Sequence, residues 1–80
     1  MAEPKQPWMT QWVIYKHPRE YPDRYVLREW HIDEGDPNPR MGSRIELADE
    51  LEEIRLFVPE GCVCLTRFED DDPSIVEVWL

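Results

Sequence analysis

Residues 11–16, Q-W-V-I-Y-K, are the stretch from which the fold is most readily inferred. Aromatic and β-branched residues dominate the stretch, which predicts a β-strand. Successive side chains of a strand point to opposite faces, so Trp12 and Ile14 share one face while Val13 and Tyr15 share the other. Because both faces are apolar, we expect this strand to lie in the middle of a sheet or to be covered on both sides.

The segments that follow extend the sheet. Pro18 and Pro22 interrupt regular structure and predict a broad connection. Residues 24–32 form a second predicted strand, antiparallel to the first. Two further strands are predicted at residues 62–68 and 74–80, where apolar and β-branched residues again predominate.

The middle of the chain predicts a loop and then a helix. Residues 33–43 contain two prolines and two glycines, which is typical of a loop. Ser43 and Asp49 are both possible helix starts, since each has a glutamate three positions later. We favour Asp49, because the acidic residues after it then lie in the first turn, where the helix dipole stabilises carboxylates.

A helix that starts at Asp49 also has one apolar side. Leu51, Ile54 and Val58 fall on the same face at helical spacing, and Pro59 and Gly61 end the helix. The sequence therefore predicts an α+β domain over residues 11–80. Its predicted sheet is mostly antiparallel with four strands in the order β-β-α-β-β, and one short helix covers one face. Residues 1–10 are predicted to be a flexible leader, with Met9 as an alternative start.

The charge of the chain is strongly negative and unevenly distributed. There are 18 acidic residues against 9 Lys and Arg, a net charge of −9, and the excess lies from Asp33 onward. Such a field repels nucleic acid and anionic membranes and attracts basic partners. No apolar run approaches the ~20 residues of a membrane span, so we expect a cytoplasmic protein without direct membrane or nucleic-acid contacts. The alternative interpretation is that the charge only confers solubility.

The carboxylates form three clusters that together suggest a binding face. Proteins that bind duplex DNA use rows of Lys and Arg to meet one negative charge per ~1.7 Å of helix axis. A domain with fixed, extended negative charge can occupy such a surface as a competitor. The candidate partner-binding residues are Asp33, Glu34 and Asp36 in the loop, Glu50 and Glu53 on the helix, and Asp70, Asp71 and Asp72 in the last turn.

Catalytic and metal-binding patterns are weak in this sequence. It contains no glycine-rich phosphate loop, and no serine has plausible triad partners nearby. Cys62 and Cys64 with His17 and His31 are a conceivable zinc ligand set, but Cys-x-Cys is not the usual Cys-x₂₋₄-Cys spacing. We therefore predict no cofactor, no metal and no enzymatic activity, and expect the thiols to be buried and to act as small apolar groups.

From about Met9 onward, the chain resembles a group of small bacterial and prophage-encoded proteins. The matching pieces are Trp12-Val13-Ile14-Tyr15, Tyr21-Pro22-Asp23, Ala48-Asp49, Leu51-Glu52-Glu53, Pro59-Glu60-Gly61 and, most specifically, residues 71–80, D-D-P-S-I-V-E-V-W-L. Some members of this group resemble anti-CRISPR proteins directed at type I surveillance complexes, type I-C among them. The resemblance implies that the acidic face occupies the basic channel where target DNA enters, without any chemistry, and that Trp8 adds an apolar anchor.

Three other functions remain open. The chain can be a structural or adaptor module, monomeric or weakly dimeric, that assembles through residues 74–80 as an edge strand with Ile75 and Trp79 exposed. It can also be a metal-dependent enzyme or sensor, or a small housekeeping protein.

Overall fold

The computed structural model describes residues 9–36, 38–65 and 73–80, which form five strands and one short helix. In chain order these elements are β1 (Met9–Lys16), β2 (Tyr25–Ile32), β3 (Arg40–Ala48), α1 (Leu51–Arg55), β4 (Cys64–Leu65) and β5 (Ile75–Trp79). The strands form one antiparallel sheet in the order β3-β2-β1-β5-β4. The α+β class is therefore confirmed, but the sheet has five strands rather than four and the element order is β-β-β-α-β-β.

Strand β1 occupies the centre of the sheet, as its two apolar faces predict. It pairs with β2 along its whole length, from Met9 opposite Ile32 to Lys16 opposite Tyr25, and with β5 on its other edge. Its central residues, Trp12, Val13 and Ile14, are all buried. Since consecutive residues point to opposite faces, both faces of β1 are covered at this position.

The helix covers one face of the sheet. Ile54 of α1 is fully buried and belongs to one core cluster with Ile14, Leu27 and Ala48, side chains from three adjacent strands. Trp12 completes this cluster. The prediction of a short helix on one face is therefore confirmed.

The predicted loop over residues 33–43 is wrong in its second half, because β3 begins at Arg40. The pairs Arg28–Ile45 and Trp30–Met41 leave three residues of β3 opposite the single residue Glu29, so the strand bulges there. Gly42 lies in this bulge, and a Cβ atom at this position would come within 2.8 Å of the Glu29 side chain. The glycine that suggested a loop instead makes room for Glu29 inside a sheet.

The helix starts later and ends earlier than predicted. Glu50 is the N-cap residue, and no side chain caps the helix, because the carboxylate of Asp49 accepts a hydrogen bond from Arg24 at 2.6 Å. The α-helix ends at Arg55. Hydrogen-bonded turns follow as far as Val58, whose side chain still packs against the core. Gly61 has a positive φ of 88° and reverses the chain after these turns.

Strand β5 is not the edge strand that the sequence suggested, since it lies between β1 and β4. One extra residue, Val76, separates its pairs with β1, so Ile75 lies opposite Tyr15 while Trp79 lies opposite Trp12. Ile75 and Trp79 therefore point to opposite faces and do not form one exposed strip, and Trp79 packs against the core.

The predicted strand at residues 62–68 is partly described. Of its described residues, 62–65, only Cys64–Leu65 form a strand, β4. Next to β4, the backbones of Val63 and Leu80 exchange hydrogen bonds of 2.8 and 3.0 Å. Residues 66–68 and most of the predicted leader lie outside the described residues. Within the described part, no helix is long and apolar enough to cross a membrane.

Truncating Ile54 to alanine tests whether the helix is held by its one buried side chain. We expect Ile54→Ala to lower the free energy of unfolding by about 2–4 kcal/mol, because it removes a fully buried side chain from the core. Leu56→Ala is the control, since Leu56 is 83% exposed and its truncation should change stability by less than about 0.5 kcal/mol. Urea unfolding followed by tryptophan fluorescence measures both, and equal effects would contradict this account of the packing.

Candidate functional site

The first predicted acidic cluster lies at the tip of the β2–β3 hairpin. Asp33 is mostly buried there, with its side chain 11% exposed, and it accepts two hydrogen bonds from Arg40 at 2.7 and 3.1 Å. This contact raises the pKa of Arg40 and closes the hairpin. Glu34 and Asp36 are exposed, and Asp36 accepts the backbone N–H of Asn38 at 2.9 Å. Glu34 and Asp36 are therefore the carboxylates of this cluster that a partner can reach, while Asp33 supports the hairpin.

The second cluster lies at the start of α1. Glu50, Glu52 and Glu53 are all exposed, and none forms an ion pair with another described residue. Asp49 precedes them, but its charge is matched by Arg24. At the start of α1 itself, the carboxylates without an ion-pair partner among the described residues are therefore the three glutamates.

The two clusters lie at opposite ends of β3. The hairpin tip comes just before this strand and α1 follows just after it. Nine residues at ~3.3 Å each place the clusters roughly 25 Å apart, with allowance for the bulge. The structure thus does not bring Asp33–Asp36 and Glu50–Glu53 onto one patch. Asp70, Asp71 and Asp72, together with Trp8, lie outside the described residues.

An ion pair fastens the acidic helix to the sheet. The Arg55 Nε atom donates to Oε1 of Glu77 at 3.0 Å and its Nη2 atom donates to Oε2 at 2.5 Å, so the pair is bidentate. The hydrogen bonds from Arg55, and a weaker one from the indole N–H of Trp79 at 3.2 Å, lower the pKa of Glu77. Sequence reasoning missed this contact because the two partners are 22 positions apart.

The thiols and histidines lie in separate places in the described part of the chain. No group of three or more His, Cys, Asp and Glu side chains there could hold a metal ion. Cys62 is half-buried and Cys64 is exposed, so the expected burial of the thiols is wrong for Cys64. Partial loss of solvation at its sulfur, followed by the nearby Glu77, raises the pKa of the Cys64 thiol, which leaves it protonated and poorly nucleophilic at neutral pH. The His31 ring shares a hydrogen bond of 2.9 Å with Glu29, and His17 meets the Tyr25 ring edge-on at 5.5 Å.

A groove on the face opposite the helix is the feature that sequence reasoning missed. Pro18, in the β1–β2 loop, is buried against this face, and the groove runs between the loop and strands β2 and β3. Its volume is about 420 Å³, within the usual range of ligand sites. The lining residues are Tyr15, Pro18, Arg19, Glu20, Arg28, Trp30 and Met41. In the sequence, the one indication of this groove is the alternation along β2 that places Arg28 and Trp30 on the same face of the sheet.

Strand β3 carries exposed apolar side chains beside this groove. Met41, Ile45 and Leu47 are 57%, 39% and 41% exposed. Their partners on β2 are Trp30, Arg28 and Val26, which alternate onto the face that holds the groove. We refer to Met41, Ile45 and Leu47 as the β3 strip.

No family model, curated protein or solved structure matches this chain.

The ion pair between Arg55 and Glu77 predicts a pH dependence of stability. Because the folded-state pKa of Glu77 is lowered, its stabilising contribution is present above the unfolded value, near 4.5, and is lost as the pH falls through the folded value. We expect Glu77→Gln to be less stable than the wild type at pH 7, and the difference to shrink as the pH falls below the unfolded value. Urea unfolding across this pH range measures the difference in the free energy of unfolding between Glu77→Gln and the wild type. Glu60→Gln, at an exposed position, is the control. A stability difference for Glu77→Gln that persists at low pH would argue against a contribution from the ion pair.

Proposed function

We propose that this protein is a non-catalytic acidic binding protein that competes with nucleic acid for a basic protein surface. The supporting observation is that exposed carboxylates lie at both ends of β3, Glu34 and Asp36 at one end and the three glutamates of α1 at the other. None of them forms an ion pair with another described residue, so their charge is available to a partner.

The separation of the clusters suits an extended basic channel. Phosphates follow one another every ~3.4 Å along one strand of duplex DNA, so roughly 25 Å corresponds to about seven phosphates. A competitor for such a channel needs negative charge at separated points along the path of the nucleic acid. Two clusters held by a rigid sheet meet this requirement better than one compact patch.

The proposed target is a type I CRISPR surveillance complex. Residues 71–80 and the shorter motifs resemble a group of small bacterial and prophage-encoded proteins, and some members of that group resemble anti-CRISPR proteins, which supports this choice. The acidic clusters would occupy the DNA-binding channel of the complex. Such a protein acts in the bacterial cytoplasm and needs no cofactor. The proposal concerns binding alone, because recognition of target DNA would be blocked without any bond being made or broken.

Charge reversal at each cluster tests the proposal. Purified type I-C complex is premixed with the protein, and binding of matched target duplex is followed by gel shift. We expect the wild type to abolish the shift, and Glu50→Lys/Glu53→Lys and Glu34→Lys/Asp36→Lys each to raise the concentration needed by at least about tenfold, since positive side chains would then face a positive channel and be repelled. A further variant that reverses Asp70, Asp71 and Asp72 tests the third predicted cluster.

The matched control is Asp23→Lys/Glu60→Lys. Both residues are exposed, and the variant changes the net charge as much as either cluster variant does. Equal weakening by the control would show that only net charge matters. If the wild type leaves DNA binding unchanged in this and other type I complexes, the proposed target is wrong.

The β3 strip favours a second candidate, an adaptor that assembles through its sheet edge. Strand β3 pairs with β2 alone among the described strands, so its outer edge can accept another strand. If this is the function, sedimentation equilibrium should reveal a concentration-dependent dimer. Ile45→Lys should abolish the dimer, because it places a charge in the strip, while Val63→Lys, at a residue 65% exposed beside β4, should not. A wild type that stays monomeric at every concentration would exclude it.

A further inference from the structure

The arginines of the described part of the chain divide into two groups. Four of the six form an ion pair with a carboxylate; the pairs are Arg24–Asp49, Arg40–Asp33, Arg44–Glu46 and Arg55–Glu77. Arg19 and Arg28 form no such pair with a described residue, and both line the groove opposite the helix. In a chain with twice as many acidic as basic residues, the described arginines that lack a carboxylate partner are thus gathered in one place.

The guanidinium groups in the groove keep most of their hydrogen-bonding capacity. Arg28 is half-buried, and the contact made by its Nη1 atom is with the Met41 sulfur at 3.7 Å, a weak acceptor. Arg19 is exposed on the β1–β2 loop. Glu20 also lines the groove and offsets one positive charge, so the lining carries a net charge of one.

The rest of the lining is apolar and aromatic. Pro18, Trp30 and Met41 provide flat or flexible apolar surface around Arg28. Trp30 also carries an indole N–H that has no contact with solvent and no hydrogen-bond acceptor in the described part of the chain. Sites that combine apolar walls with a few polar groups of fixed position are typical of ligand recognition.

We propose that this groove binds a segment of a partner protein in which an apolar side chain adjoins a single carboxylate. The apolar side chain packs against Trp30, Pro18 and Met41, and the carboxylate accepts charge-assisted hydrogen bonds from Arg28 and Arg19. The net charge of one in the groove, within a negatively charged protein, matches a monoanion better than a dianionic phosphate. This site is independent of the acidic clusters, because it selects a ligand of the opposite charge.

A matched set of small probes tests the ligand class. N-acetylphenylalanine presents an aromatic side chain beside a carboxylate, its amide is the neutral counterpart, and N-acetyl-O-phosphotyrosine amide presents a dianion. Titrations are followed by the indole ¹H–¹⁵N signal of Trp30, assigned with Trp30→Phe. We expect N-acetylphenylalanine to shift this signal saturably and both other probes to bind about tenfold more weakly or worse. Equal binding of the amide, tighter binding of the phosphate, or an unmoved Trp30 signal would overturn the proposal.

Substitutions of single arginines test the assignment of residues. Arg28→Gln and Arg19→Gln should each weaken binding of N-acetylphenylalanine by about tenfold. Arg24→Gln is the matched control and should bind as the wild type does, because Arg24 lies outside the groove and pairs with Asp49. If Arg28→Gln disturbs the folded spectrum, Arg19→Gln decides, since Arg19 is on an exposed loop. Affinity that neither substitution changes, or that Arg24→Gln lowers equally, would contradict the proposed site.

Discussion

The pairing of β1 on both of its edges is the constraint on which the rest of this structure depends. β1 joins β2 and β5, and through them β3 and β4, into one sheet. Its central residues Trp12, Val13 and Ile14 are buried on both faces, so the same three positions support the helix-covered face and the open face. A polar side chain at any of these three positions would be buried against one face of the sheet without a hydrogen-bond partner. The damage would reach β2 and β5, because both are hydrogen-bonded to β1.

The size of the chain explains why the two faces differ. A domain of 80 residues buries only about 60–65% of the surface that its unfolded chain exposes. It therefore has few residues left to cover both faces of a five-stranded sheet. The one helix covers one face, and the β1–β2 loop covers only part of the other, which leaves the β3 strip and the groove accessible. The carboxylates lie mainly at the ends of the strands, away from this apolar surface.

Local patterns in the sequence predicted the elements that depend on local chemistry. The apolar faces of β1 and the stripe of Leu51 and Ile54 were sufficient for the central strand and the helix. Strand β3 was missed because a glycine such as Gly42 is as typical of a loop as of a β-bulge. The bulge at Val76 was missed because it is defined only by how β5 pairs with β1.

The same limit applies to the candidate site. The exposure of Glu34 and Glu53 is what their charge predicts, whereas the burial of Asp33 depends on its contact with Arg40. The distance between the clusters depends on the hairpin, and the groove depends on the β1–β2 loop folding back over the sheet. Asp49 shows the competition directly, since its carboxylate contacts Arg24, 25 positions earlier, instead of capping its own helix.

The shortness of α1 has a consequence for how its charges can be used. Isolated helices below ~12–15 residues are marginal in water, and α1 has five residues held by Ile54 in the core and by Arg55 on Glu77. A synthetic peptide of residues 49–58 would carry the same glutamates but would not hold them in place. The positions of these charges therefore depend on the sheet. A protein engineered to present the same glutamates in the same arrangement would need the sheet under the helix as well as the helix.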